Sequence, residues 1–141
     1  MSLPRFSTPG GTYMVTRTTA NSLFLLVPGK VTNGIFEYCL ARAAHQFGVL
    51  IHAVSVESNH YHMVITDVRG ELSEFMQELN RTVARCLTKY LKQRYKRRID
   101  TVWTTSQSFS GQLLVDREII IKKIVYVMAT LCLPRLNLRE H

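Results

Sequence analysis

Hydrophobic and polar positions divide this chain into segments of two periods. Thr12-Tyr13-Met14-Val15-Thr16-Arg17-Thr18 is rich in β-branched residues and roughly alternating, which predicts a first strand. A short apolar run from Leu23 to Val27 ends at the turn pair Pro28-Gly29. Phe36, Leu40, Ala43, Ala44 and Phe47 then recur at helical spacing, predicting a helix from about Val31 to Phe47 that Gly48 ends. Val49 to Val56 and His60 to Asp67 read as two more strands. Only Glu57-Ser58-Asn59 separates them, so they should form an antiparallel pair. Beyond Gly70, Leu72, Phe75, Met76, Leu79, Val83, Leu87, Tyr90 and Leu91 trace one face of a long amphipathic helix over about 71–94. A Ser/Thr/Gln-rich loop after Val102-Trp103 leads to a short strand, Gly111 to Val115. Asp116 is a good N-cap for a last helix, Arg117 to about Leu131, buried through Ile120, Ile124, Val127 and Leu131 and stopped by Pro134. The order β-α-β-β-α-β-α predicts an α+β fold, an antiparallel sheet with helices packed mainly on one face. Residues 1–11, rich in Pro, Gly and Ser, form an irregular leading arm; 12–131 form the domain and 132–141 an irregular tail.

The third strand opens with His60-Tyr61-His62. Side chains alternate along a strand, so both imidazoles project from one face and Tyr61 from the other. Two neutral imidazoles a strand step apart suit one divalent cation. Two metal-free histidines on a half-exposed strand fit the same pattern, so the pair alone leaves both readings open.

Charge narrows the range of partners. The formal net charge is +8 and the calculated pI about 9.8, which favours polyanions, nucleic acid first. Lys89, Lys92, Arg94, Lys96, Arg97 and Arg98 form one dense block without intervening acids, suited to phosphate and also to a solvated helix end. In the last helix Lys122 and Lys123 stand four and three residues from Tyr126 and share its face. A phenol beside two ammonium groups is a candidate nucleophile; a half-packed boundary tyrosine gives the same pattern. The odd, widely spaced Cys39, Cys86 and Cys132 read as reduced core thiols of a cytoplasmic protein, not as a disulfide or zinc framework. No apolar run approaches the length of a membrane span, and no apolar signal segment opens the chain.

These residues, taken in order, resemble those of the HUH single-tyrosine transposases, most of all the REP-associated tyrosine transposases. The family's His-hydrophobic-His motif matches His60-Tyr61-His62, with Asn59 before it. Pro9-Gly10-Gly11-Thr12-Tyr13 with Arg17-Thr18 is similar to its first strand, and Leu72-Ser73-Glu74-Phe75-Met76 with Leu79-Asn80-Arg81 to its helix after the histidines. Val102-Trp103, Leu114-Val115-Asp116 and the segment holding Tyr126 match later landmarks, so the likeness covers about residues 3 to 129. It implies a ferredoxin-like fold and a Mg²⁺ or Mn²⁺ ion held by His60 and His62. It also implies attack by Tyr126 on single-stranded or hairpin DNA, through a 5′-phosphotyrosine intermediate, in DNA transposition. Lys122, Lys123 and the 89–98 block would grip the DNA. A prokaryotic, nucleoid-associated protein, monomer or homodimer, is implied as well. The competing expectations are a copy that grips hairpin DNA or RNA without cutting, and an initiator or relaxase of the same superfamily, for which this length leaves no helicase.

Glu57 is a candidate third metal ligand, since a carboxylate suits a hard cation. Alternation counted from Glu57 to His60 puts the two on opposite faces unless Ser58-Asn59 bulges, which favours a solvated turn carboxylate instead. After Tyr126 the family continues to an Asn-Pro pair where this chain has Thr130-Leu131, and in related insertion-sequence enzymes a polar side chain four residues after the tyrosine helps to bind metal. Thr130 is a poor substitute. Asn-Pro codons (AAC-CCN) read one base later become ACC-CNN, which can encode Thr-Leu, so the sequence predicts a frameshifted, truncated copy with Thr130 to His141 out of frame. Sequencing the locus checks this: restoring one base should recover Asn-Pro and a longer tail like that of the family, and failure to do so rejects the frameshift.

Overall fold

The computed structural model describes residues 8–105 and 108–139, with the side chains of the last helix described through Thr130. The leading arm before Thr8 and two residues of the Ser/Thr/Gln-rich loop lie outside this range. The first half agrees closely with the predicted periods: β1 (Gly11–Thr18), α1 (Lys30–Phe47), β2 (Val49–Glu57) and β3 (His60–Asp67). α2 (Leu72–Tyr95), β4 (Ser110–Leu114) and α3 (Arg117–Arg139) complete the chain. Gly48 ends α1 in the left-handed conformation, φ 65°, with its N–H on the carbonyl of Ala44. The left-handed φ disfavours any other residue there, and an added Cβ would also require the Arg69 guanidinium, 2.9 Å away at Nε, to shift.

The four strands form one antiparallel sheet in the order β2-β3-β1-β4. β3 inserts between β2 and β1, which makes the first β-α-β unit a split one and gives the fold its ferredoxin-like topology. Tyr13 and Val15 of β1 and Tyr61, Met63 and Ile65 of β3 face α1 and α2, forming the main core with Phe36, Phe75, Met76 and Leu79. The other face of β3 carries His60, His62 and Val64. A smaller core there joins Val64, Ala53 and Leu114 to Val127 of α3, with Ile120 and Ile124 against it. Two helices thus cover one face, and α3 alone crosses the other.

α3 continues past Pro134 to Arg139, whereas the sequence predicts its end near Leu131 and an irregular tail over 132–141. A proline inside a helix costs a backbone hydrogen bond and a clash with the preceding turn, but it keeps a helical φ. The leucines on either side of Pro134 are strong helix formers, so the helix resumes. Among the described residues no helix is long and apolar enough to cross a membrane.

A buried polar anchor holds β3 against α2. The Tyr61 ring, fully buried, lies between Phe36 (ring centroids 4.9 Å) and Trp103 (5.5 Å), and its hydroxyl donates to Asn80 Oδ1 at 2.5 Å. Trp103 Nε1 donates to the Asn80 carbonyl at 2.8 Å. Arg17, whose guanidinium is 5.9 Å from the Trp103 ring centre, donates to the Thr104 carbonyl at 3.1 Å. Burial drives the Tyr61 phenol well above its ordinary pKa, which keeps it a hydrogen-bond donor at neutral pH. Tyr61→Phe should leave Asn80 Oδ1 buried without this donor and cost about 1–3 kcal/mol, read as a lower urea midpoint with unchanged slope.

Candidate active site

Ser58-Asn59 alone closes the β2–β3 hairpin, so Glu57 pairs directly with His60 and Ser55 with His62. Directly opposed residues in an antiparallel pair project from the same face. The expectation that Glu57 lies on the face away from His60 is therefore corrected. Alternation does not run through turn residues, and a two-residue turn returns the chain with its facing inverted. Farther back, a bulge between Ile51 and Ala53 adds one residue, His52, and shifts the alternation along β2. Val49 and Ile51 face the main core before it; Ser55 and Glu57 face the histidines after it.

Glu57 Oε2 lies 2.5 Å from His60 Nε2, and His60 Nδ1 lies 2.9 Å from Asn59 Oδ1, so the first imidazole is held at both nitrogens. The His60 and His62 rings stand edge to face with centroids 5.5 Å apart. His62 is deeper, 4% exposed, and its Nε2 meets Thr130 Oγ1 at 2.9 Å. Thr130 Oγ1 also lies 3.0 Å from Ser55 Oγ and 2.7 Å from the Val127 carbonyl, so one hydroxyl links α3 to both strands of the hairpin. Burial holds the His62 imidazole below its ordinary pKa; neighbouring Glu57 pulls it up and His60 pushes it down, both less strongly. His62 is accordingly neutral at pH 7, the form that ligates metals.

One turn back along α3 from Thr130, the Tyr126 ring packs 5.7 Å from the His62 ring and is 53% exposed. Lys123 obeys the helical spacing, with its ammonium 5.9 Å from the Tyr126 ring centre. Lys122 turns instead toward Glu118, 3.7 Å away. The block of Lys89, Lys92, Lys96 and Arg98 lines an open depression of about 680 Å³ at the end of α2. It belongs to the layer on the other side of the sheet from α3 and does not join Lys122 and Lys123. Ser55 was invisible as a site residue in the sequence. Only the cross-strand pairing with His62 reveals it.

The donor chemistry of His60, His62 and Glu57, two imidazole nitrogens and a carboxylate, suits a divalent cation such as Mn²⁺ or Mg²⁺. Among the described residues no three His, Cys, Asp or Glu side chains stand together as a formed metal cage. Glu57 Oε2 and His60 Nε2 are in direct contact at 2.5 Å, so a cation held between them would replace that contact.

This arrangement, a histidine pair on the third strand facing a tyrosine on the last helix, can be set beside known proteins. Residues 26–124 match the family model for IS200-like transposases. The chain belongs to that family. Its fold is similar to that of a REP-associated tyrosine transposase solved bound to a REP hairpin (TM-score 0.67, 14% identity, covering 90% of this chain and 70% of that one). It is also similar to a putative transposase from Deinococcus radiodurans (TM-score 0.60, 20% identity, 92% and 97% covered). No curated protein sequence matches the chain.

The lowered His62 pKa has a sign that this transposase should display in its stability. Between the folded-state value and the ordinary 6.5, the folded chain binds fewer protons than the unfolded chain. Stability should therefore fall as pH drops below about 6.5. Urea unfolding in EDTA at a series of pH values should show a shallower acid decline in His62→Gln than in the wild type.

Proposed function

We propose that this transposase cuts and rejoins single-stranded DNA with Tyr126 as nucleophile, at a site completed by His60, His62 and Glu57. The observation that carries the reading is the contact between the Tyr126 and His62 rings within one chain. It puts a half-exposed phenol beside the paired imidazoles, as attack on a phosphate held there requires. The Tyr126 oxygen forms the new bond to phosphorus and passes its proton to water. The bond from phosphorus to the 3′ oxygen breaks and that oxygen takes a proton from water, leaving a 5′-phosphotyrosine and a free 3′-hydroxyl. Attack by a 3′-hydroxyl on that linkage restores a phosphodiester without a nucleotide cofactor, because the ester energy is conserved. His60, His62 and Glu57 would hold a divalent cation, which when bound would polarise the scissile phosphate as a Lewis acid. Lys123 adds positive charge beside the phenol, and Lys122 and the α2 block extend phosphate contacts along the strand. Hairpin DNA as the natural substrate is supported by the REP hairpin in the similar structure. Such a protein works in the prokaryotic cytoplasm, on the nucleoid.

A binding-only reading draws on a different observation. The side chain facing His62 Nε2 is the Thr130 hydroxyl, a weaker cation ligand than a carboxylate or amide. In that case the fold grips hairpin DNA or RNA and does not cut it.

The two readings part in one experiment. The purified protein is incubated with labelled hairpin oligonucleotides from its own locus, in Mn²⁺ or in EDTA, and resolved on a denaturing gel. A Mn²⁺-dependent covalent adduct that is absent in Tyr126→Phe and in His62→Ala is expected. Binding that survives both substitutions with no adduct from the wild type would overturn the nuclease in favour of the binding module.

A further inference from the structure

A second groove lies on the opposite layer, between the segment before α1 and the end of α2, with a volume of about 680 Å³. Its walls carry more exposed aromatic surface than folding explains. Phe24 is 66% and Tyr95 59% exposed, with Tyr90 beside Tyr95 edge to face at 6.1 Å. Val27 and Val31 add exposed apolar surface to the same groove. Cations border the aromatic rings. The Arg94 guanidinium lies 5.3 Å from the Tyr95 ring centre, and Arg97 lines the groove itself. Arg97 is there because Lys96 takes the left-handed conformation, φ 56°, and ends the helix, turning the next residues away from its axis. The Lys89–Arg98 depression occupies the same helix end.

We propose that this groove is a second nucleic-acid subsite, taking unpaired bases of single-stranded DNA on Phe24 and Tyr95 while Arg97 and the adjoining lysines hold phosphates. Flat apolar rings interleaved with cations match the two parts of an unpaired nucleotide, the base face and the phosphate. An apolar peptide would leave these cations without a partner, and a duplex keeps its base faces stacked inside. The groove is also tied to the Tyr126 side of the molecule. The Leu26 N–H donates to the Ser58 carbonyl at 2.8 Å, which fastens the Phe24–Val27 wall to the turn that leads into His60. The DNA partner is the one proposed above, but the subsite does not depend on cleavage at Tyr126.

The test uses the full chain carrying Tyr126→Phe, in EDTA, so that no nicking enters the measurement. Fluorescence anisotropy reads binding of a labelled thymidine oligonucleotide, and of a duplex of equal length, at fixed salt. Replacing both Phe24 and Tyr95 by Ala should weaken single-strand binding by about tenfold or more, in line with the loss of base stacking. Duplex binding and the salt dependence should be unchanged, because the phosphate contacts remain. Replacing both by Trp should restore single-strand binding, and unchanged thermal midpoints should confirm that the exposed positions do not support the fold. No loss with alanine, an equal loss on duplex, a loss that tryptophan does not restore, or no single-strand binding by the parent chain would each overturn the subsite. Adduct formation with Tyr126 intact is scored separately and bears on the nuclease alone.

Discussion

Direct cross-strand pairing in the β2–β3 hairpin is the constraint on which the candidate site rests. Backbone hydrogen bonds set Glu57 opposite His60 and Ser55 opposite His62, and all four side chains emerge on one face. A slip of one residue would send the histidines into the main core and Tyr61 onto the other side. The register is strongly enforced. Tyr61, Met63 and Ile65 fill the apolar layer under α1 and α2, and the Tyr61 hydroxyl has its partner in Asn80 only in this register. The polar site on one face is thus held in place by packing on the other.

The same division explains how α3 arrives. The sheet leaves Val64, Ala53 and Leu114 exposed on the histidine side unless a helix covers them, and α3 does so with Val127 and its neighbours. Burying that stripe fixes the rotation of the helix. Tyr126 and Thr130 then fall beside His62, and Lys123 falls beside Tyr126. Hydrophobic burial supplies the docking, and the Thr130 hydroxyl shared with His62 and Ser55 supplies the register.

Positive charge is divided between two layers. Lys122 and Lys123 sit with the candidate nucleophile, whereas the Lys89–Arg98 block and the aromatic groove lie across the sheet at the end of α2. The IS200-like family membership accounts for the fold and for a DNA partner.

Most of the fold was legible in the chain because burial imposes a period. The alternation from His60 to Asp67, the helical spacing from Phe36 to Phe47 and from Leu72 to Leu91, and Gly48 as a helix stop all report on local geometry. The histidine pair and Tyr126 were legible as residue types. That they face each other was not, because 64 positions separate His62 from Tyr126 and only the packing of α3 on Val64 and Ala53 closes that distance. Glu57 shows the limit most clearly. Counting along the chain put it on the wrong face, because a turn interrupts strand alternation and has no period to read. Pro134 failed as a stop for a related reason: one residue sets a local cost, but whether a helix ends there depends also on the helix-forming strength of its neighbours. Residue order alone dictates which surfaces are apolar and which side chains carry chemistry. Packing selects which of those side chains meet, since contact across a sheet is set by register and by the helices that cover it.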